Sequence, residues 1–170
     1  CAKIHNDLKK NYKNGITIII PRHIHRSSEI KEDIEKIGLN VHLHSSNQKI
    51  KENTDIYLVD TYGETKSFQK ICNIVFLGGS LIRHGGQNPL EAARLGCKII
   101  HGPYIDNFLE VYGLLNKIKI SSKIRTHEQA KNIINKNLNY KFNFKKIVKK
   151  INSIGHEVLI KNQKEISNYI

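Results

Sequence analysis

The segment from Gly78 to Gly96, GGSLIRHGGQNPLEAARLG, holds the residue types and spacing best suited to chemistry in this chain. Gly78, Gly79, Gly85 and Gly86 put four glycines within nine residues, so the backbone can turn sharply and a ligand can approach it closely. The apolar run Ile74-Val75-Phe76-Leu77 leads in as a strand. A helix should begin at Asn88 as N-cap, with Pro89 in the first helical position and Glu91 at N3 completing a capping box. Gly96 suits the C-terminal stop. A strand, a glycine-rich loop and a helix N-terminus together can hold an anion, most often a phosphate. The loop fits neither the dinucleotide pattern G-x-G-x-x-G nor the G-K-[ST] of a P-loop. Asn88 and Glu91 acting only as caps is the competing reading.

Two other polar clusters follow predicted strands, Pro21-Arg22-His23 and Asp60-Thr61-Tyr62-Gly63-Glu64. Arg22 offers a planar fork of donors for a phosphate or a base edge. Glu64 and Glu91 are acceptors suited to sugar hydroxyls. Taken singly, Arg22 reads as a surface cation and the two glutamates as caps. All three clusters at strand ends read as a nucleotide or nucleotide-sugar pocket. His23/His25 and His42/His44 are each spaced i, i+2, but no carboxylate or cysteine joins them at a ligand spacing, so a metal site is disfavoured.

The elements that must position these residues alternate strand and helix. Strands are predicted at 16–20, 41–43, 55–59, 74–77 and 98–101. Helices are predicted from Ser27 or Ser28 to Gly38, over 63–71, 88–95 and 106–115, and from Thr126 onward with breaks near Asn139-Tyr140 and at Gly155. The β-branched run Ile16–Ile20 reads as a strand buried on both faces. The alternation implies an α/β fold, a parallel sheet covered by helices on both faces. Ligands in such sheets bind beyond the carboxyl ends of the strands.

Composition narrows the class. The chain has 170 residues, 39% of them hydrophobic and 25% charged, enough for one domain with a real core. No apolar run approaches the roughly 20 residues of a membrane helix. Cys1, Cys72 and Cys97 lack metal spacing, and an odd count argues against a disulfide framework. The net charge of +13 points to a polyanion or an anionic membrane surface. About half of that excess follows from an Ile-, Lys- and Asn-rich composition, and the lysines are scattered, so nucleic-acid binding is weakly supported.

The segments Asp60–Glu64, Gly78-Gly79-Ser80 and Gly85–Glu91, Gly102-Pro103 with Asn107-Phe108, and Pro21-Arg22-His23 with Arg26 together resemble 3-deoxy-D-manno-octulosonic acid (Kdo) transferases. The likeness runs through most of the chain and is strongest from Ile16 to Phe108. It implies the C-terminal, Rossmann-like half of a GT-B glycosyltransferase, with residues 1–170 forming a single CMP-Kdo-binding domain. Pro21, Arg22, Tyr62, Gly63, Glu64, Asn88, Pro89, Leu90 and Glu91 would bind the cytidine monophosphate part. Gly79, Ser80, Gly85 and Gly86 would form a phosphate loop. The resemblance implies no cofactor and no metal in the donor site. It implies a lipid A precursor as acceptor and a peripheral place on the cytoplasmic face of the inner membrane.

Gln87 departs from the family's usual His, Ala92 from its Pro and Tyr104 from its His; the first puts leaving-group contacts in doubt. The chain begins at Cys1 rather than Met, and the acceptor domain, its general base and the first donor-domain strand are expected to lie outside it. The helix expected over His5–Lys10 would follow that strand. On this reading the chain alone contains no catalytic residue, transfers no Kdo, and is marginal or self-associating. The rival functions are a non-catalytic nucleotide-binding module and a basic α/β protein that binds nucleic acid or anionic membranes.

Overall fold

A computed structural model describes residues 2–138 and 144–168, with the side chains of 144 and 146 left aside. Cys1 and the helix break expected near Asn139-Tyr140 lie outside the described residues. The chain divides into two compact units, residues 1–71 with 126–136, and residues 72–125 with 137–170.

The first unit opens with α1 (Ala2–Lys9), β1 (Thr17–Ile19) and a 3₁₀ turn (Ile24–Arg26) that runs into α2 (Ser27–Glu35). β2 (Val41–Leu43), β3 (Ile56–Leu58) and α3 (Thr65–Ile71) follow, and α6 (His127–Leu138) adds a late helix. Its sheet is parallel with order β1-β3-β2, registering Thr17 with Ile56 and Val41 with Ile56. The run at 16–20 is not buried on both faces as its sequence suggests. β1 is an outer strand of this ladder, and the central strand β3 takes the core positions, with Ile56 and Leu58 fully buried. α2 ends in a Schellman motif: Gly38, at φ +82°, donates to the Glu35 carbonyl and Leu39 to that of Ile34.

The second unit holds β4 (Ile74–Leu77), α4 (Leu90–Arg94), β5 (Lys98–His101), a 3₁₀ turn (Asp106–Phe108), α5 (Leu109–Lys117), β6 (Ser121–Lys123) and α7 (Phe144–Ser167). Its sheet is also parallel, β4-β5-β6, with β5 buried throughout. Ala92, Ala93, Ile99, Tyr112, Leu115 and Ile151 meet in its core. α7 passes through Gly155 without a break. A single interior glycine costs a helix only about 1 kcal/mol relative to Ala. Parallel strands with covering helices are therefore observed, in two three-stranded ladders.

Candidate functional site

In the first unit the expected residues gather at one sheet edge. β1 and β3 are adjacent and parallel, and the Val59 N–H donates to the Ile19 carbonyl at 2.9 Å. Pro21-Arg22 and Tyr62-Gly63-Glu64 therefore leave neighbouring strands at their carboxyl ends. Arg22 is exposed, Tyr62 is 72% exposed, and Gly63 takes φ +88° to turn the chain into α3. Neither the Arg22 guanidinium nor the Glu64 carboxylate has a hydrogen-bond or ion-pair partner among the described residues.

Their neighbours are committed differently. The Asp60 carboxylate accepts from the Ser45 N–H at 2.8 Å and the Ser45 hydroxyl at 2.5 Å, tying the end of β3 to the loop after β2. Burial alone would push that carboxyl up, but the bonds from Ser45 outweigh it and hold it below the ordinary range. The hydroxyls of Ser27 and Thr61 are buried with no hydrogen-bond partner. Ser27 begins α2, four residues after His23, and Thr61 precedes Tyr62. A buried hydroxyl that binds nothing in its own chain costs stability and so marks a place where a water or a ligand belongs. The sequence reading put Thr61 in a strand-end cluster and Ser27 at the start of a helix, and gave neither a place in the site, because burial carries no sequence signal at a single Ser or Thr.

In the second unit the glycine-rich loop is held from below. The Ser80 hydroxyl is fully buried, donates to the Leu77 carbonyl at 2.7 Å and accepts from the Gly102 N–H at 2.8 Å. Ser80 thus fastens the loop to the end of β5, and its hydroxyl has no capacity left for a phosphate. Gly79, Gly85 and Gly86 all take positive φ, between 70° and 76°. A Cβ on Gly85 would lie 2.3 Å from the Asn107 carboxamide, so these two motif elements are bound together by space. The Gly86 N–H donates to the Gly79 carbonyl, and the Tyr112 hydroxyl donates to the Gln87 carbonyl at 2.9 Å. Burial pushes the Tyr112 phenol up to about 12.

α4 starts one residue later than expected. Pro89 occupies the N-cap place, with its carbonyl accepting from Ala93, while the Asn88 carboxamide accepts from the Leu90 N–H at 3.0 Å. The capping box does not form. Glu91 falls at the second helical position, too early to reach back, and its exposed carboxylate has no partner among the described residues. Gly96 ends the helix as expected, at φ +88°.

At the amino-terminal side of the first sheet lies a separate buried network that sequence reading missed. Asp55 accepts from Lys9, from the Asn40 N–H at 2.8 Å and from His5 at 3.4 Å, and His5 also meets the Thr17 hydroxyl at 2.9 Å. Desolvation would raise the Asp55 carboxyl, and these donors hold it below its ordinary value instead. The network fastens α1 to β1 and β3. No group of three or more His, Cys, Asp or Glu stands close enough to hold a metal ion among the described residues.

No protein-family model matches the chain. A protein of Haemophilus influenzae named 3-deoxy-D-manno-octulosonic acid transferase is 29% identical over 161 residues, covering 95% of this chain and 37% of the relative. A probable mitochondrial 3-deoxy-D-manno-octulosonic acid transferase of Arabidopsis thaliana is 33% identical over 133 residues, covering 74% of this chain and 30% of the relative. The chain thus spans about a third of the length of these curated relatives. Among solved structures, the C-terminal CMP-Kdo binding domain of WaaA from Acinetobacter baumannii aligns with a TM-score of 0.79 at 24% identity, over 89% of this chain and 79% of that one. At that identity the likeness establishes the fold.

Proposed function

We propose, for a chain homologous over most of its length to the Kdo transferases, that it is the donor-binding part of an inverting glycosyltransferase of GT-B architecture. On this reading it holds CMP-Kdo while Kdo passes to a lipid A precursor at the cytoplasmic face of the inner membrane. The residues assigned to the cytidine monophosphate part are Pro21, Arg22, Tyr62, Gly63, Glu64, Asn88, Pro89, Leu90 and Glu91. The backbone of Gly79, Gly85 and Gly86 shapes the loop near the phosphate, and Ser80 positions it.

The observation that carries this reading is a contrast in commitment. Asp60, Ser80 and Asn107 are spent on protein partners or packed against them, whereas the charged groups of Arg22, Glu64 and Glu91 are unpaired at strand ends and a helix start. Glu91 supports no cap, and its exposed carboxylate in the first turn of α4 is left open to a ligand. Arg22 can pair with a phosphate or a base edge, and Glu91 can accept from ribose hydroxyls. Basic groups and backbone dipoles can stabilise the leaving phosphate without a metal.

Transfer also needs a base within hydrogen-bond reach of the acceptor hydroxyl and an acceptor held in line with the leaving group. We assign both to the part of the protein outside this chain, so that this chain binds the donor without turning it over. Calorimetric titration of CMP into Glu91→Gln tests the reading. Loss of a charge-assisted hydrogen bond is worth about 1.5–3 kcal/mol, and the expected outcome is that loss of affinity with an unchanged melting temperature. Unchanged affinity would remove Glu91 from the site and leave the assignment without its main support.

A further inference from the structure

Tyr112 does more than fill the core of the second unit. Its side chain is buried in the cluster that includes Ala92, Ala93, Ile99 and Leu115, where a Phe would leave no polar atom to satisfy. The phenol instead carries its hydroxyl to the Gln87 carbonyl, 25 residues back along the chain, at 2.9 Å. Because burial pushes this phenol up to about 12, the hydroxyl keeps its proton and donates near neutral pH. The ring lies against the buried His101 ring, their centroids 4.3 Å apart. His101 Nδ1 is 2.7 Å from the Gly102 carbonyl, which can only accept, so Nδ1 carries the proton. Gly102 in turn donates to Ser80.

The glycine-rich loop is thus held at both ends. Gly102 holds Ser80 at the near end. At the far end the Asn107 N–H donates to the Gly85 carbonyl at 3.2 Å, and Tyr112 reaches Gln87. The Gln87 carbonyl shares a rigid peptide plane with the Asn88 N–H, so fixing that oxygen fixes the direction in which Asn88 leaves the loop. Little freedom remains beyond it. Asn88 precedes a proline and is restricted for that reason, and its carboxamide accepts from the Leu90 N–H at 3.0 Å. Pro89 is fully buried, its φ is limited by the ring, and its carbonyl accepts from Ala93. The bond from Tyr112 uses the backbone of Gln87, so it does not depend on the side chain at that position.

We propose that Tyr112 is a positioning residue for nucleotide binding, its hydroxyl setting the peptide plane from which Asn88, Pro89, Leu90 and Glu91 are presented to the cytidine monophosphate part of the donor. Tyr112 touches no ligand and acts through the Gln87 carbonyl. The inference rests on the donor-binding reading given above. Without the hydroxyl the Gln87–Asn88 plane is free to rotate, and the binding-competent arrangement becomes one of several. Apparent affinity then falls by the fraction that stays competent. A packing role alone would instead lower stability throughout the unit and leave affinity unchanged.

Tyr112→Phe in the whole 170-residue chain tests it, with Ile120→Val as the control. Ile120 is buried in the same core but just before β6, at the end of the ladder away from the loop. Both variants should lower the melting temperature by about 2–4 °C. In hydrogen–deuterium exchange of the nucleotide-free chain, residues 88–95 of Tyr112→Phe should exchange about three- to tenfold faster than wild type, while β5 changes no more than in Ile120→Val. In calorimetric titration well below the melting temperature, Tyr112→Phe should bind CMP about three- to tenfold more weakly and Ile120→Val as wild type does. Wild-type exchange over 88–95, or wild-type CMP affinity, in Tyr112→Phe would overturn the positioning role and leave the donor reading standing. Equal weakening by Ile120→Val would reduce Tyr112 to a packing residue. A wild-type chain that fails to bind CMP would overturn the donor reading, and the positioning role with it.

Discussion

Substituting Gly102 by Ala should damage the glycine-rich loop more than any substitution within the loop's own open positions. A Cβ at Gly102 would stand 2.1 Å from the Ser80 carbonyl oxygen, 2.4 Å from its carbon and 2.7 Å from the Leu81 nitrogen. All three are backbone atoms, so no rotamer change relieves the overlap. The Gly102 segment must move by about 1 Å to restore ordinary van der Waals contact. That movement breaks the bond from the Gly102 N–H to the Ser80 hydroxyl and strains the one from Tyr104 to the Ser80 carbonyl. Overpacking costs about 1–3 kcal/mol, and one buried polar group left unsatisfied costs about 1–3 kcal/mol more. The sum is about 2–6 kcal/mol, or a fall of roughly 10 °C at this chain length, where 1 kcal/mol shifts the melting temperature about 2–4 °C. Gly78→Ala is the control, because nothing lies within 4 Å of its Cβ and its φ is ordinary. Thermal unfolding followed by circular dichroism reads both. Equal melting temperatures for Gly102→Ala and Gly78→Ala would refute the claim that Ser80 and Gly102 fasten the loop by close backbone approach.

Asp55→Asn should destabilise the chain by about 1–3 kcal/mol near neutral pH, by weakening bonds to Lys9, His5 and the Asn40 N–H. The folded carboxyl titrates below its unfolded value of about 3.9, so its contribution is complete above that pH and is lost as pH falls through the folded value. Melting curves at pH 7 and pH 3 should show the wild-type advantage shrinking at the lower pH, and a constant gap would contradict the assignment. Gly113→Ala lies inside α5 with nothing within 4 Å of the new Cβ, so it should raise stability by about 0.5–1 kcal/mol; a lower melting temperature would count against the open environment described there.

Much of this fold is legible in the sequence because its strands are short apolar runs closed by turn residues. The strands at 41–43, 74–77 and 98–101 are found at the bounds expected. β6 is not legible, because Ser121-Ser122-Lys123 has no apolar pattern and becomes a strand only by pairing with β5. The depth of β1 is misread for a related reason: β-branched composition announces a strand, but its place at the outside of a ladder sets its exposure. In the candidate site, residue types were readable and commitments were not. Ser80 reads as a phosphate-loop residue and is a buried fastener. Glu91 reads as a member of a capping box and is free of that duty, because Pro89 rather than Asn88 takes the N-cap place. The joint appearance of Gly85-Gly86 and Asn107 could be noted as a family pattern, and only the backbone path shows that the carboxamide fills the space a side chain at position 85 would need.

The donor assignment stands or falls on base selectivity in the intact chain. Calorimetric titration of cytidine, adenosine and guanosine monophosphates at one ionic strength measures it directly. The account predicts that cytidine monophosphate binds with the highest affinity, and that Arg22→Gln weakens it without lowering the melting temperature. Equal affinity for the three nucleotides would contradict the cytidine assignment and reduce the strand-end clusters to a generic anion site.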